Sequence, residues 1–121
     1  MPQITIDHSA ELENAFDRAG FARALHEATV EIAAARPEAC KTQFRPGAFT
    51  VYGYEDPAAG GHTVVHVTIG LLAGRDAATR ERLAETALGL IHRYVTPGDG
   101  VAVHASAEVR DLDPSYRKSD R

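Results

Sequence analysis

With 121 residues and a formal net charge of −4, the chain is long enough for one domain that buries roughly two thirds of its unfolded surface. Its basic residues are scattered except at the extreme C-terminus, which argues against a nucleic-acid surface. No apolar run is long enough to cross a membrane, and the N-terminus lacks the cationic, apolar, small-residue order of a secretory leader. The single cysteine, Cys40, excludes an intrachain disulfide and fits a reducing cytoplasm; beside Ala39 it reads as a small buried side chain rather than a nucleophile.

The chain opens Met1-Pro2-Gln3-Ile4-Thr5-Ile6. A small second residue favours trimming of the initiator methionine. Trimming leaves Pro2 with a free secondary amine, whereas a proline inside a chain has no N–H and no basicity. The central expectation is that this amine is the catalytic group. Ile4 and Ile6 alternate with Thr5, as in a half-buried strand, and Asp7, His8 and Ser9 close it. From Phe21, the apolar positions Phe21, Leu25, Ala28, Ile32 and Ala35 recur at helical spacing. Gly20 places the regular helix after it, Phe16 belongs to the helix or its lead-in, and Pro37 stops it. Cys40–Arg45 and Ala48–Tyr54 read as strand from their β-branched and aromatic content, with Pro46 marking a bulge or an edge. Residues 55–61 carry every turn signal.

The segment from His62 to Leu72 is the strongest strand and is expected in the middle of a sheet. Ala73-Gly74-Arg75-Asp76 forms a strand-to-helix junction with Asp76 as N-cap. Leu83, Ala87, Leu90, Ile91 and Tyr94 then trace an apolar helical stripe that ends at Pro97-Gly98-Asp99-Gly100. Val101–Val109 alternates again, and the tail from Asp111 is polar and expected to fray at its end.

This order gives two βαβ halves, about 2–54 and 62–110, plus a C-terminal tail, within one domain spanning 1–121. Each half makes a right-handed parallel pair. The expected architecture is α+β: a four-stranded mixed sheet with two helices on one face. The other face is expected to carry Val, Ile or Ala on at least two strands with no third helix to cover it. Such a face implies an obligate oligomer with sheets packed around a shared axis, in preference to a ferredoxin-like monomer.

Three cations are candidates to hold an anionic substrate. Arg75 sits after a glycine at a helix start, where N–H groups and a guanidinium make a carboxylate site. Lys41 opens the second strand, which runs parallel to the first, so Lys41 and Pro2 share one sheet edge. Arg45 is a second candidate on that strand. A cation near Pro2 disfavours protonation of its amine, lowering the pKa from about 8 toward neutrality, where a positioned base contributes roughly 10²–10⁴-fold. The histidines show no metal pattern: His62 and His66, four apart on a strand, do not chelate. There is no glycine-rich phosphate loop and no Ser or Cys hydrolase motif.

Pro2 at a trimmed terminus, the tandem βαβ order and Ala73-Gly74-Arg75 together resemble the tautomerase superfamily, most of all its 5-carboxymethyl-2-hydroxymuconate isomerases. The supporting segments are Met1–Ser9, Val65–Ile69 running into Ala73-Gly74-Arg75, and Glu108–Pro114. The resemblance implies a homotrimer and cofactor-free proton transfer on an unsaturated keto or enol acid of aromatic catabolism. Carried over by position, Pro2 is the base and acid and Arg75 binds a substrate carboxylate. Lys41 falls where the family has a second substrate-binding arginine, and Tyr116 supplies an aromatic wall. Where the family has Arg-x-Arg, this chain has Lys41-Thr42-Gln43, which keeps one charge, loses the bidentate fork and loses the second charge. The Gly-Arg junction and the Phe44–Gly53 segment also resemble the superfamily's hydrolytic dehalogenases of haloacrylates, for which Glu108 is the candidate water-activating carboxylate. A third alternative, favoured by Gln43, is a trimeric binding or assembly protein whose Pro2 no longer works.

Overall fold

A computed structural model describes residues 2–121. The elements in chain order are β1 (Gln3–Ser9), α1 (Arg18–Ala33), β2 (Lys41–Gly47), β3 (His62–Leu71), α2 (Ala77–Tyr94) and β4 (Ala102–Asp111). The four strands form one mixed sheet in the order β2-β1-β3-β4. β1 runs parallel to β2 and antiparallel to β3, and β3 runs parallel to β4. This is the expected α+β architecture, with β3 in the interior of the sheet.

The period of two in the strands decides which face is covered. Ile4 and Ile6 of β1 and Val65, Val67 and Ile69 of β3 are fully buried and meet Phe21 and Leu25 of α1 and Leu83, Ala87 and Ile91 of α2. Val103, Ala105, Ala107 and Val109 of β4 join the same core from its edge. Both helices therefore lie on one face, and each buried Ile, Leu or Phe contributes about 1.5–3 kcal/mol.

The helix ends follow local chemistry. Asp17 caps α1, its carboxylate accepting from the Gly20 N–H at 3.0 Å. The helix thus begins before Gly20, not after it. A Cβ on Gly20 would collide with the Asp17 carboxylate and come within 2.8 Å of the Tyr94 ring, so the cap and the ring both require glycine. Phe16 lies in the lead-in, buried and bridged to Val95. Asp76 caps α2 through the Thr79 N–H at 2.8 Å, as expected.

Two further expectations are corrected. Ala48–Tyr54 is not a strand: β2 stops at Gly47, which pairs with Ser9, the last residue of β1. Beyond that point the chain has no partner strand to bond with, so the ladder ends whatever the propensity. The loop that replaces it is tied down by a Thr50–Ser9 hydroxyl contact of 3.2 Å and by Tyr52, whose ring stacks on His62 and His104. It presents Phe49, Val51 and Tyr54 to solvent.

The uncovered sheet face is also not apolar. By register it carries Gln3, Thr5 and Asp7 on β1, Lys41, Gln43 and Arg45 on β2, Val64, His66 and Thr68 on β3, and His104, Ser106, Glu108 and Arg110 on β4. The Val and Ala residues of β3 and β4 that suggested an apolar outer face are the ones packed against the helices. The hydrophobic argument for an obligate oligomer therefore does not hold on this face.

Candidate active site

Pro2 lies at the head of β1 and is buried. Met1 lies outside the described residues. The Pro2 carbonyl accepts from the Lys41 N–H at 3.3 Å, continuing the parallel β1–β2 ladder in which Gln3 pairs with Lys41. Pro2 and Lys41 thus share a sheet edge, as the βαβ order implied. On the other side of β1, Gln3 pairs with Gly70 near the end of β3, so the chain leaving β3 through Leu72 to Arg75 starts from this same edge.

Arg75 is held there by main-chain carbonyls. Its Nε and Nη2 both donate to the Ala33 carbonyl, at 3.0 and 2.9 Å, and its Nη1 donates to the Leu72 carbonyl at 3.2 Å. The guanidinium fork closes over the C-terminal end of α1, where the exposed carbonyls and the helix dipole favour a cation. One first-turn N–H of α2, that of Thr79, is engaged by Asp76 rather than left for a substrate carboxylate. Arg75 lines an open hollow of about 520 Å³ together with Ile32, Ala33, Ala34, Ala73 and Gly74. Lys41 Nζ donates to the Ala39 carbonyl at 3.3 Å. Among the described residues neither cation is in an ion pair, so both charges stay uncompensated by direct contact at this edge.

The tail folds back over the edge. The Leu112 N–H donates to the Leu71 carbonyl at 2.6 Å, and the Leu112 side chain fills the space above Gly70. Tyr116 reaches β1, its hydroxyl accepting from Gln3 Nε2 at 3.2 Å. Further on, Asp120 is held below the usual carboxylate range, chiefly by its 3.0 Å hydrogen bond to Lys118. Gln3, Gly70 and Leu112 were not among the expected site residues. The glycine near the end of an otherwise β-branched strand was the available signal, because such a glycine marks close approach by another segment.

Arg45 is elsewhere. It pairs with Asp7 across β1–β2 and donates to it through Nε and Nη2 at 2.9 and 3.1 Å. Five residues of strand separate Asp7 from Pro2, about 16 Å at the usual rise. Within one chain Arg45 does not belong to the Pro2 edge. Glu108 lies on the uncovered face between His66 and Arg110, at 3.4 and 3.2 Å. Cys40, half-buried beside Lys41, has its thiol pushed up by burial, which makes it a poorer nucleophile.

Neither a family model nor a curated protein sequence matches the chain. Solved structures do. A 5-carboxymethyl-2-hydroxymuconate delta-isomerase superposes with a TM-score of 0.74 at 15% identity, covering 100% of this chain and 89% of that one. A 5-carboxymethyl-2-hydroxymuconate isomerase from Deinococcus radiodurans gives 0.73 at 13% identity, covering 98% and 90%. A fused 4-OT symmetric trimer gives 0.73 at 12% identity, covering 97% and 92%. At these identities the likeness is one of fold: the chain has the fold of the tautomerase superfamily.

Proposed function

We propose that the protein is a cofactor-free isomerase that moves a proton on an unsaturated keto or enol carboxylic acid, with the amine of Pro2, freed by removal of Met1, as general base and acid. What supports this reading most is that the Lys41 N–H bonds to the Pro2 carbonyl, Tyr116 bonds to Gln3 beside Pro2, and β3, which leads on to Arg75, ends opposite Gln3. On this reading the cations at this edge would also disfavour protonation of the amine and keep it available as a base. Lys41 and Arg75 would hold the substrate carboxylate, and Tyr116 would wall the pocket. The fold likeness to 5-carboxymethyl-2-hydroxymuconate isomerases supports a related unsaturated acid as the proposed substrate class. The likeness to a symmetric trimer supports a homotrimer on this reading.

A second reading, a catalytically silent binding or assembly protein, is favoured by one observation: the Arg75 fork is already spent on Ala33. Phenylenolpyruvate ketonisation, compared between wild type and Pro2→Ala after intact-mass confirmation that Met1 is gone, separates the two. The isomerase reading expects at least about a hundredfold loss in the variant, the usual size of a positioned base. Equal rates would exclude the amine mechanism.

A further inference from the structure

On the uncovered face, His62 and His66 of β3 alternate with Val64, which pairs with His104 of β4. Two of these histidines touch. His62 Nδ1 lies 3.0 Å from His104 Nε2, with the ring planes 22° apart. The nearly flat pair carries the ring of Tyr52, which stacks on both at centroid distances of 4.4 and 3.9 Å and tilts of 9° and 13°. An N–H···N bond between imidazoles needs one bare nitrogen. Charging one ring keeps that bond; charging both turns the facing nitrogens into two donors and sets two cations side by side beneath Tyr52. His66 is different, because its Nε2 is 3.4 Å from a Glu108 oxygen and a proton taken up there meets a carboxylate. Among the described residues no carboxylate pairs with His62 or His104. Asp7 is engaged by Arg45, Glu108 lies between His66 and Arg110, and Glu55, Asp56 and Asp99 of the adjoining loops form no ion pair with either ring.

We propose that the His62–His104 pair, with Tyr52 seated on it, makes assembly pH-dependent: copies joined through the uncovered sheet face separate as these two imidazoles take up protons. The inference rests on the homotrimer reading, in which this face packs against further copies of the chain. In the assembly the pair lies out of water with no carboxylate to meet its charge, and desolvation disfavours the protonated form. In the free chain the face is open, and water solvates the charged rings. The free chain therefore binds protons more readily than the assembly does. By linkage, assembly is at full strength above the range in which free imidazoles titrate and weakens as pH falls through it. Tyr52 extends the effect beyond the two rings. With Thr50 it ties down the loop that presents Phe49, Val51 and Tyr54, so parting the rings also shifts these apolar side chains.

The test is sedimentation velocity of the full-length protein from about pH 8 down to about pH 5, the span in which histidine changes charge, with far-ultraviolet circular dichroism at each step. Wild type should pass reversibly from trimer to folded monomer. With at least one proton taken up per copy, the trimer dissociation constant should rise by roughly a thousandfold per pH unit at its steepest. The double variant His62→Gln, His104→Gln cannot titrate there, while its two amides can still bond to each other, so its trimer should persist to the acid end. His66→Gln should dissociate as wild type does. Both variants keep His26, so its titration cannot account for a difference between them. In wild type the ring C–H resonances of His62 and His104 should titrate over the same range as dissociation, a readout that does not require the double variant to assemble. A wild-type trimer that persists to the acid end, a double variant that dissociates with the wild-type midpoint, or resonances that titrate outside the dissociation range would each overturn the inference and leave the homotrimer reading standing. A wild-type protein that is monomeric at every pH would overturn that reading and this inference with it.

Discussion

Arg75 and Ala33 are joined by a fork: two guanidinium nitrogens donate to one carbonyl oxygen, at 3.0 and 2.9 Å, across 42 residues of chain. This contact clasps the end of α1 to the turn that leads out of β3. It gives Arg75 a structural role whatever it does for a substrate. Arg75→Ala leaves the Ala33 and Leu72 carbonyls without their donor and removes a cation from a helix C-terminus, so urea unfolding should show a loss of about 1–3 kcal/mol. Arg75→Lys keeps the charge but not the fork and should fall between. If Arg75 also binds substrate, the KM of Arg75→Lys should rise at temperatures where the protein stays folded.

The tail should matter to the Pro2 edge and little to the core. Leu112→Ala opens the space above Gly70 and loosens the path that carries Tyr116 to Gln3. Partial truncation of a half-buried leucine should cost about 1–2 kcal/mol or less. Limited proteolysis should cut the segment after Asp111 faster in Leu112→Ala than in wild type. Tyr116→Phe, which deletes only the hydroxyl bonded to Gln3, should leave stability within about 1 kcal/mol and raise KM if the ring walls the pocket. An unchanged KM would remove Tyr116 from the site.

His8 is the least comfortable buried group. Its Nδ1 bonds to the Ser9 carbonyl at 2.9 Å, while its Nε2 finds no partner among the described residues and the ring packs edge-on against Phe16 and Phe44. An unsatisfied buried nitrogen costs about 1–3 kcal/mol, and replacing it by carbon relieves that cost at the loss of one ordinary hydrogen bond. His8→Phe should therefore leave the urea midpoint unchanged or raise it. A loss of unfolding free energy of more than about 2 kcal/mol, outside the range expected for a tolerated core swap, would show that His8 Nε2 has an unrecognised role.

Acid sensitivity should trace in part to His26. It sits between α1 and β2, its Nε2 2.7 Å from Thr42 Oγ1, and burial lowers its pKa from 6.5. With the folded pKa below the unfolded one, the unfolded state takes up the proton first. Stability is thus unaffected above about pH 7 and declines as pH falls through the unfolded value near 6.5, levelling only below the folded value. His26→Gln keeps a polar partner for Thr42 and cannot titrate, so its stability should fall less between about pH 7 and 5. Parallel pH curves for the two proteins would rule this out.

The chain itself determined the elements that depend on neighbours in sequence. Alternation fixed β1, β3 and β4, helical spacing fixed α1 and α2, and Asp76 announced the start of α2 because a cap bonds its own first turn. The βαβ order likewise fixed that Pro2 and Lys41 share an edge, because a crossover helix makes its two strands parallel. Only the folded molecule decided what depends on partners far along the chain. Ala48–Tyr54 has strand composition, but a strand needs a neighbour, and β1 has ended by then. Arg75 had the right place in the sequence, yet the end of α1 claimed its guanidinium. Arg45 lay on the expected strand but at its far end, where Asp7 faces it. The polarity of the uncovered face follows from which side of each strand the helices cover, and no period within one strand contains that information.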